Sequence, residues 1–177
     1  NTLLVANEIS NKHRIADVYA AFGFLYNLMS NLPEAQKYCY KALKMAEEMK
    51  YKECMVMANS NLGSVNLSLG NNAEALKYYS IALEMAKQIG YVSQIAANYH
   101  NVAIIYHYEN KHETSIQNFF EALEINQATG NRLWEAYNNN SIGAVIYEEH
   151  SNPKEALKYF NASTEILKEI GEKKELI

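Results

Sequence analysis

Apolar and small residues recur along the chain with the spacing of amphipathic helices. Cys54, Ala58, Leu62 and Val65 follow one another at intervals of three or four residues, which predicts a helix with one buried face. That stripe ends at Gly70, a residue type that readily takes the left-handed conformation closing a helix. A second stripe runs from residue 75 to residue 86 and ends before another glycine. The pattern therefore predicts two helices joined by a short turn.

The pair of stripes returns at a fixed interval. The string "EALKYY" at 74–79 comes back as "EALKYF" at 155–160. Related segments occur upstream, as "LPEAQKYCYKALKMA" at 32–46, and downstream, as "TSIQNFFEALEIN" at 114–126. The equivalent positions 34, 74 and 114 are evenly spaced, whereas the fourth, 155, comes one residue later than that spacing predicts. One residue is therefore inserted near 148–152. A period of about 40 residues, within the range of about 20–50, indicates a repeat architecture.

We therefore predict four repeats, each with a first helix (A) and a second helix (B) that pack antiparallel because the connections are short. The repeats span 11–50, 51–90, 91–130 and 131–171. A half helix of a preceding repeat (1–10) and the start of a further one (172–177) flank them, as expected of a piece of a longer array. The predicted helices cover 12–30, 33–49, 51–69, 72–89, 91–109, 112–129, 131–149 and 152–170.

Small residues occupy the same positions in every copy. One such position in helix A holds Gly23, Gly63, Ala103 and Gly143, and one in helix B holds Ala35, Ala75, Ser115 and Ala156. Large residues stand beside them, as in the row Cys39, Tyr79, Phe119 and Phe160. Because small side chains let helix axes approach to about 8–10 Å, these positions are expected at the helix crossings.

This arrangement resembles the tetratricopeptide repeat. The resemblance rests on a large residue followed by Gly or Ala in helix A ("FG" 22–23, "LG" 62–63, "VA" 102–103, "IG" 142–143) and on the Ala, aromatic and Ala of helix B, and it covers nearly the whole chain. It implies an all-α, right-handed superhelix of antiparallel hairpins. The period of about 40 residues exceeds the family's usual unit of about 34, as in its longer variety. Asn66 replaces the usual aromatic residue of helix A, so repeat 2 is expected to pack less well.

Composition excludes several classes of function. The 177 residues are 49% hydrophobic and 20% charged, with a net charge of −4, a balance that argues against a nucleic-acid partner. No apolar run is long enough to predict a membrane span. Cys39 and Cys54 lack metal-ligand spacing and are expected to be buried thiols of a cytoplasmic protein.

No motif of a known catalytic site is present, so we predict a protein that is not an enzyme and needs no cofactor. His100 and His107 share a helix face at a spacing of seven residues, too wide for two direct ligands to one metal ion. A polar surface lining is the better interpretation of this pair, and no metal site is predicted.

The resemblance implies that the A helices line a concave groove. Carrying the family's groove positions over residue by residue gives a polar, nearly uncharged surface suited to an extended peptide backbone. The candidate peptide-binding residues are Phe24, Asn27, Ser60, Asn61, Ser64, His100, Asn101, His107, Tyr137, Asn140, Ser141 and Tyr147. The alternative is that the Asn side chains bond to neighbouring helix backbone or to water. Because none of these residues is Lys or Arg, clamping of a C-terminal carboxylate, as in the chaperone-associated members, is not expected.

Two functions fit this surface. The first is a non-catalytic scaffold that binds a protein or an extended peptide in the groove. The alternative is a peptide-sensing input domain of a bacterial signalling kinase or transcription regulator. We also expect end-to-end self-association through the apolar residues near both ends of the array, Leu3, Leu4, Ile9, Leu176 and Ile177.

Overall fold

The computed structural model describes the backbone of residues 2–150 and 152–175, and the side chains of residues 10–149 and 152–171. Within those ranges the chain forms eight α-helices and no strand, which confirms the all-α fold class. None of the helices described combines the length and apolar character that crossing a bilayer requires. The helices are α1 (Thr2–Leu28), α2 (Leu32–Met49), α3 (Lys52–Ser68), α4 (Asn72–Ile89), α5 (Val92–Tyr108), α6 (His112–Ala128), α7 (Arg132–His150) and α8 (Pro153–Glu175).

The six joints from α1–α2 to α6–α7 recur at half the repeat period, with one left-handed residue each. Three of these residues are glycines and three are not: Gly70, Gly90, Gly130, Ser30, Lys50 and Asn110. At each joint the left-handed residue donates its N–H to the carbonyl three residues back, and the next residue donates to the carbonyl five residues back, as Asn71 does to Asn66. These bonds satisfy the carbonyls that the end of a helix leaves without partners.

The chain divides into two compact units, residues 1–94 and 95–177. In the first unit, α1 packs on α2 and α3 packs on α4. The close crossing predicted at Gly63 is present, since a Cβ added there would lie 2.7 Å from Tyr79 ring atoms. A Cβ at Gly23 would likewise collide with the sulfur of Cys39. Both cysteines are free and buried, as predicted, and burial raises the pKa of the Cys39 thiol to about 12.

The described part of the second unit contains an apolar cluster. Its buried members come from α5, α6, α7 and α8: Ala103, Phe119, Leu123, Ile142, Val145, Ile146 and Ala156. The Gly143 crossing is close but looser than that at Gly63, because a Cβ there would lie 3.0 Å from Phe160. Arg132 ties α7 to α8, with guanidinium contacts of 2.6 Å to Glu135 and to Glu169.

Two helices differ from the prediction at their ends. The half helix at 1–10 and the helix beginning at residue 12 form one continuous helix, α1, without a joint between them. Helix α8 likewise continues through Gly171, where a stop was predicted. Neither stretch contains a left-handed residue of the kind that forms the other joints. The side chains of Leu3, Leu4, Ile9, Leu176 and Ile177 lie outside the described residues.

Asn66, expected to weaken repeat 2, is buried with its amide paired. Its Nδ2 atom donates to the carbonyl of Leu62 at 2.8 Å, one turn earlier on α3. Asn59 and Asn139 make the same bond one turn back along their own helices. These three mid-helix Asn residues are therefore accommodated by bonding to their own helix.

Candidate peptide-binding surface

In the first unit, the predicted polar residues mostly bond within the protein. The Asn61 amide on α3 donates to the carbonyl of Ala20 on α1 at 2.9 Å, so this side chain joins two A helices. Asn27 on α1 accepts from Ser68 on α3 at 3.1 Å. For Asn61 the structure thus shows the alternative given above, a bond to the backbone of a neighbouring helix.

Both candidate serines of α3 also have internal partners. Ser60 donates to Gln94 at 3.3 Å. Ser64 donates to the carbonyl of Ser60 at 3.2 Å and shares a 2.9 Å hydrogen bond with the hydroxyl of Tyr79. Phe24 is the member of this set that projects outward, with its ring about half exposed. The first unit therefore offers few uncommitted polar groups to a ligand.

In the second unit, His100 lies in the interior, and the prediction that it lines an open surface is wrong. Its Nδ1 atom donates to the Oδ1 atom of Asn138 at 2.7 Å. The rings of Phe119 and Trp134 pack edge-on against the imidazole at centroid distances of 5.1 and 5.2 Å. Burial lowers the pKa of His100 from its ordinary value, and the hydrogen bond to Asn138 opposes that effect.

Asn138 is not among the residues predicted to line the groove, yet it holds His100 in place. It is fully buried in the "YNNN" run at 137–140, whereas Tyr137 and Asn140 in the same run are exposed. Its register is that of Ala58, which the first stripe had already marked as a core position. The register of the repeats therefore already indicates that position 138 is buried.

His107 lies at the C-terminal end of α5, beside α7. Its Nε2 atom lies 3.3 Å from a carboxylate oxygen of Glu148, and its ring centroid lies 5.6 Å from that of His112. No set of three or more His, Cys, Asp or Glu side chains within the described ranges is arranged to hold a metal ion. We interpret the pair of His107 and Glu148 as a link between α5 and α7.

The remaining candidates of the second unit are open to solvent. Tyr137, Asn140 and Tyr147 on α7 are exposed, while Asn101 on α5 and Ser141 on α7 are half-buried. Among the described residues, the side chains of Asn101 and Ser141 form no hydrogen bond. We call these five residues, Asn101, Tyr137, Asn140, Ser141 and Tyr147, the α5–α7 surface. It combines unpaired amide and hydroxyl groups with two exposed aromatic rings.

Comparison with known proteins agrees with this architecture. The family model for the tetratricopeptide repeat matches residues 14–88, 53–128 and 93–169 in three overlapping placements. No curated protein matches the chain.

Several solved structures share the fold. The apo form of RapI is 20% identical with a TM-score of 0.80, and the match covers 90% of this chain and 58% of that one. A Rap protein complexed with competence and sporulation factor is 18% identical with a TM-score of 0.76, covering 90% of this chain and 44% of that one. A signal transduction ATPase (STAND) protein with a tetratricopeptide repeat sensor from Pyrococcus horikoshii is 21% identical with a TM-score of 0.69, covering 89% of this chain and 25% of that one. The chain thus spans less than two thirds of each of these proteins.

Proposed function

Because the chain belongs to the tetratricopeptide repeat family, we propose that it is a non-catalytic scaffold that binds a protein segment or an extended peptide on the α5–α7 surface. The observation that carries this proposal is the contrast between the two units. Polar A-helix side chains bond internally in the first unit, whereas Asn101 and Ser141 in the second form no bond among the described residues. Polar groups of this kind are available to a ligand.

The chemistry of the surface favours a peptide main chain over a charged ligand. The Asn101 and Asn140 amides each offer donors and an acceptor, which match the alternating N–H and C=O groups of an extended chain. The exposed rings of Tyr137 and Tyr147 offer large apolar area with a polar tip, a combination favoured at binding surfaces. None of the five residues carries a charge at neutral pH.

The proposal is tested by selecting binders from a display library of random, unstructured peptides with the intact chain. Enriched peptides are then titrated against Asn101→Ala, Ser141→Ala and Tyr147→Ala. Each polar substitution is expected to weaken binding by roughly 3–10-fold, since a neutral hydrogen bond contributes about 0.5–1.5 kcal/mol. The melting temperature should stay near that of the wild type because neither polar group has an internal partner among the described residues.

Tyr40→Ala is the matched control. Tyr40 is an exposed tyrosine on α2, outside the α5–α7 surface, and its removal should leave peptide affinity unchanged. If the library yields no binder, or if binders tolerate all three substitutions, the proposed site is refuted.

A regulatory input domain is the alternative, and the likeness to the repeat sensor of a STAND protein favours it at the level of fold. The two functions differ in what the same gene product carries. A kinase or helix-turn-helix domain on that product would favour the sensor, whereas further repeats alone would favour the scaffold. Peptide binding on the α5–α7 surface is common to both.

A further inference from the structure

Helix α1 carries an apolar stripe that the described residues of the first unit leave exposed. Its members follow at intervals of three, four and three residues, which places them on one helix face: Ile15, Val18, Phe22 and Leu25. A shallow depression of about 380 Å³ lies at the N-terminal part of this stripe, lined by Asn11, Arg14, Ile15 and Val18. We call the four apolar residues the α1 face. Contiguous exposed apolar surface commonly marks an interaction site.

The next repeat shows that this face belongs to an interface. Phe22 is 41% exposed and Leu25 is 50% exposed, yet their equivalents one repeat later, Leu62 and Val65, are both 0% exposed. The same register is buried again on α5 and α7, at Val102, Ile105, Ile142 and Val145. The α1 face is thus exposed at positions whose equivalents on the later A helices are buried.

Helix α2 shows what kind of surface covers such a face. Leu62 and Val65 on α3 cluster with Cys39 and Leu43 of α2. Ala58, one turn earlier, clusters with Ala46 of α2. The covering residues follow at intervals of four and three, so they too form a single stripe. The α1 face therefore requires a B-type helix with a matching stripe.

Helix α8 exposes such a stripe in the fourth repeat. Its residues occupy the register that Gln36, Cys39, Leu43 and Ala46 hold in the first repeat: Leu157, Phe160, Thr164 and Leu167. Leu167 is 42% exposed, whereas Ala46 is 0% exposed. Thr164 is exposed and Phe160 is half-exposed, whereas their equivalents in the first repeat, Leu43 and Cys39, are each less exposed. We call these four residues the α8 face.

We propose that the α8 face of one copy docks on the α1 face of a second copy. The two faces are the halves of a contact that the chain forms within itself, between α2 and α3 and again between α6 and α7. A second copy supplies the partner helix in the required register, with the same spacing of three, four and three residues. The contact is head-to-tail, so each protomer keeps one free face after pairing. This surface is separate from the α5–α7 surface of the proposed function.

Sedimentation equilibrium of the 177-residue chain over a range of concentrations tests the proposal. The wild type should show a weight-average mass that rises with concentration beyond that of a dimer, because each pairing leaves a free face for the next protomer. Phe22→Glu, on the α1 face, and Leu167→Glu, on the α8 face, should each remain monomeric. An equimolar mixture of the two variants should form a dimer that does not grow, since each variant retains the face that the other has lost.

Met29→Glu is the control for adding a charge beside α1. Met29 is exposed, and so is its counterpart Leu69 in the second repeat, so this position lies outside the interface. The Met29→Glu variant should therefore associate as the wild type does. Circular dichroism checks that each variant keeps its helical content, and Leu25→Glu replaces Phe22→Glu if that variant does not.

Three outcomes would overturn the proposal. A wild type that stays monomeric throughout shows that the faces do not pair. Loss of association in only one of the two variants shows a symmetric contact of one face with itself. A variant mixture that stays monomeric shows that neither face binds the other. Peptide binding on the α5–α7 surface should be unchanged in every variant. Failure of the proposed peptide-binding function can therefore be distinguished from failure of this docking proposal.

Discussion

Gly63 provides the sharpest test of how the hairpins are packed. In an exposed helix, Gly→Ala stabilises by about 0.8–1.0 kcal/mol because alanine is the better helix former. At Gly63 the added Cβ would lie 2.7, 2.7 and 2.9 Å from three ring atoms of Tyr79. The ring is nearly fully buried, and its hydroxyl shares a 2.9 Å hydrogen bond with Ser64, which limits how far it can move aside.

The net effect of Gly63→Ala follows from these two opposing contributions. Overpacking a filled interior costs about 1–3 kcal/mol, and three contacts against a tethered ring place this site in the upper part of that range. Subtracting the gain in helix propensity leaves a destabilisation of about 1–2 kcal/mol. Gly63→Leu adds three further carbon atoms at the same crossing and should cost several kcal/mol, roughly double the alanine effect or more.

Guanidinium unfolding followed by circular dichroism measures the change, with two glycines as internal comparisons. Gly171→Ala should stabilise by up to about 1 kcal/mol, since no described atom lies within 4 Å of the added Cβ. Gly143→Ala should fall between the two, because its closest contact is 3.0 Å. The order of stability change should therefore be Gly171, Gly143, Gly63, from gain to loss.

A double-mutant cycle isolates the role of the tether. Ala103 stands opposite Phe119 in the third repeat, so an alanine at this register is compatible with an aromatic ring that lacks a hydroxyl. Tyr79→Phe should therefore reduce the cost of Gly63→Ala by releasing the ring from Ser64. The reasoning is refuted if Gly63→Ala matches or exceeds the wild type in stability, or if the two substitutions are additive.

Three further predictions concern single residues. Asn61→Ala should destabilise by about 0.5–1.5 kcal/mol by removing its bond to Ala20, whereas Asn101→Ala should change stability little in the same thermal melts. Lys50→Gly should stabilise by about 1 kcal/mol in urea unfolding, because Lys50 holds φ at 54°, where side chains are strained. Burial lowers the pKa of His100 below its ordinary value of 6.5, so the unfolded chain takes up a proton at a higher pH than the folded chain does. Stability should therefore be lost as pH falls below about 6.5, and His100→Gln should flatten that part of the urea stability profile; an unchanged profile would contradict the assignment.

The sequence was sufficient where structure depends on spacing along the chain. Helix pairs, repeat length and the crossing of Gly63 with Tyr79 all follow from residues that recur in register. The continuity of α1 did not follow, because the residues around position 10 include neither a glycine nor a proline, and a joint such as that at Lys50 forms without either. Local sequence thus does not distinguish a joint from continuous helix at such positions.

The candidate surface was harder to predict because it depends on contacts between helices. His100 and Asn101 are neighbours in sequence and are both polar, yet His100 is buried and Asn101 is only half-buried. His100 is held inside by Asn138, Phe119 and Trp134, which come from two other helices. No periodicity within α5 reports these partners, so the assignment required the tertiary structure.

The joints are interchangeable parts. Lys50, which connects two hairpins, and Gly70, which lies within one, close their helices with bonds of the same pattern. The connections therefore carry no information about which helices pair. That information lies in the helix faces, where small residues such as Gly63 meet rings such as Tyr79. A joint transplanted from 109–112 to 49–52 should leave the pairing of helices unchanged, whereas exchanging a helix face should redirect it. When such repeats are recombined by design, the packing faces inside the hairpins should therefore determine which helices pair, and the loops should be exchangeable.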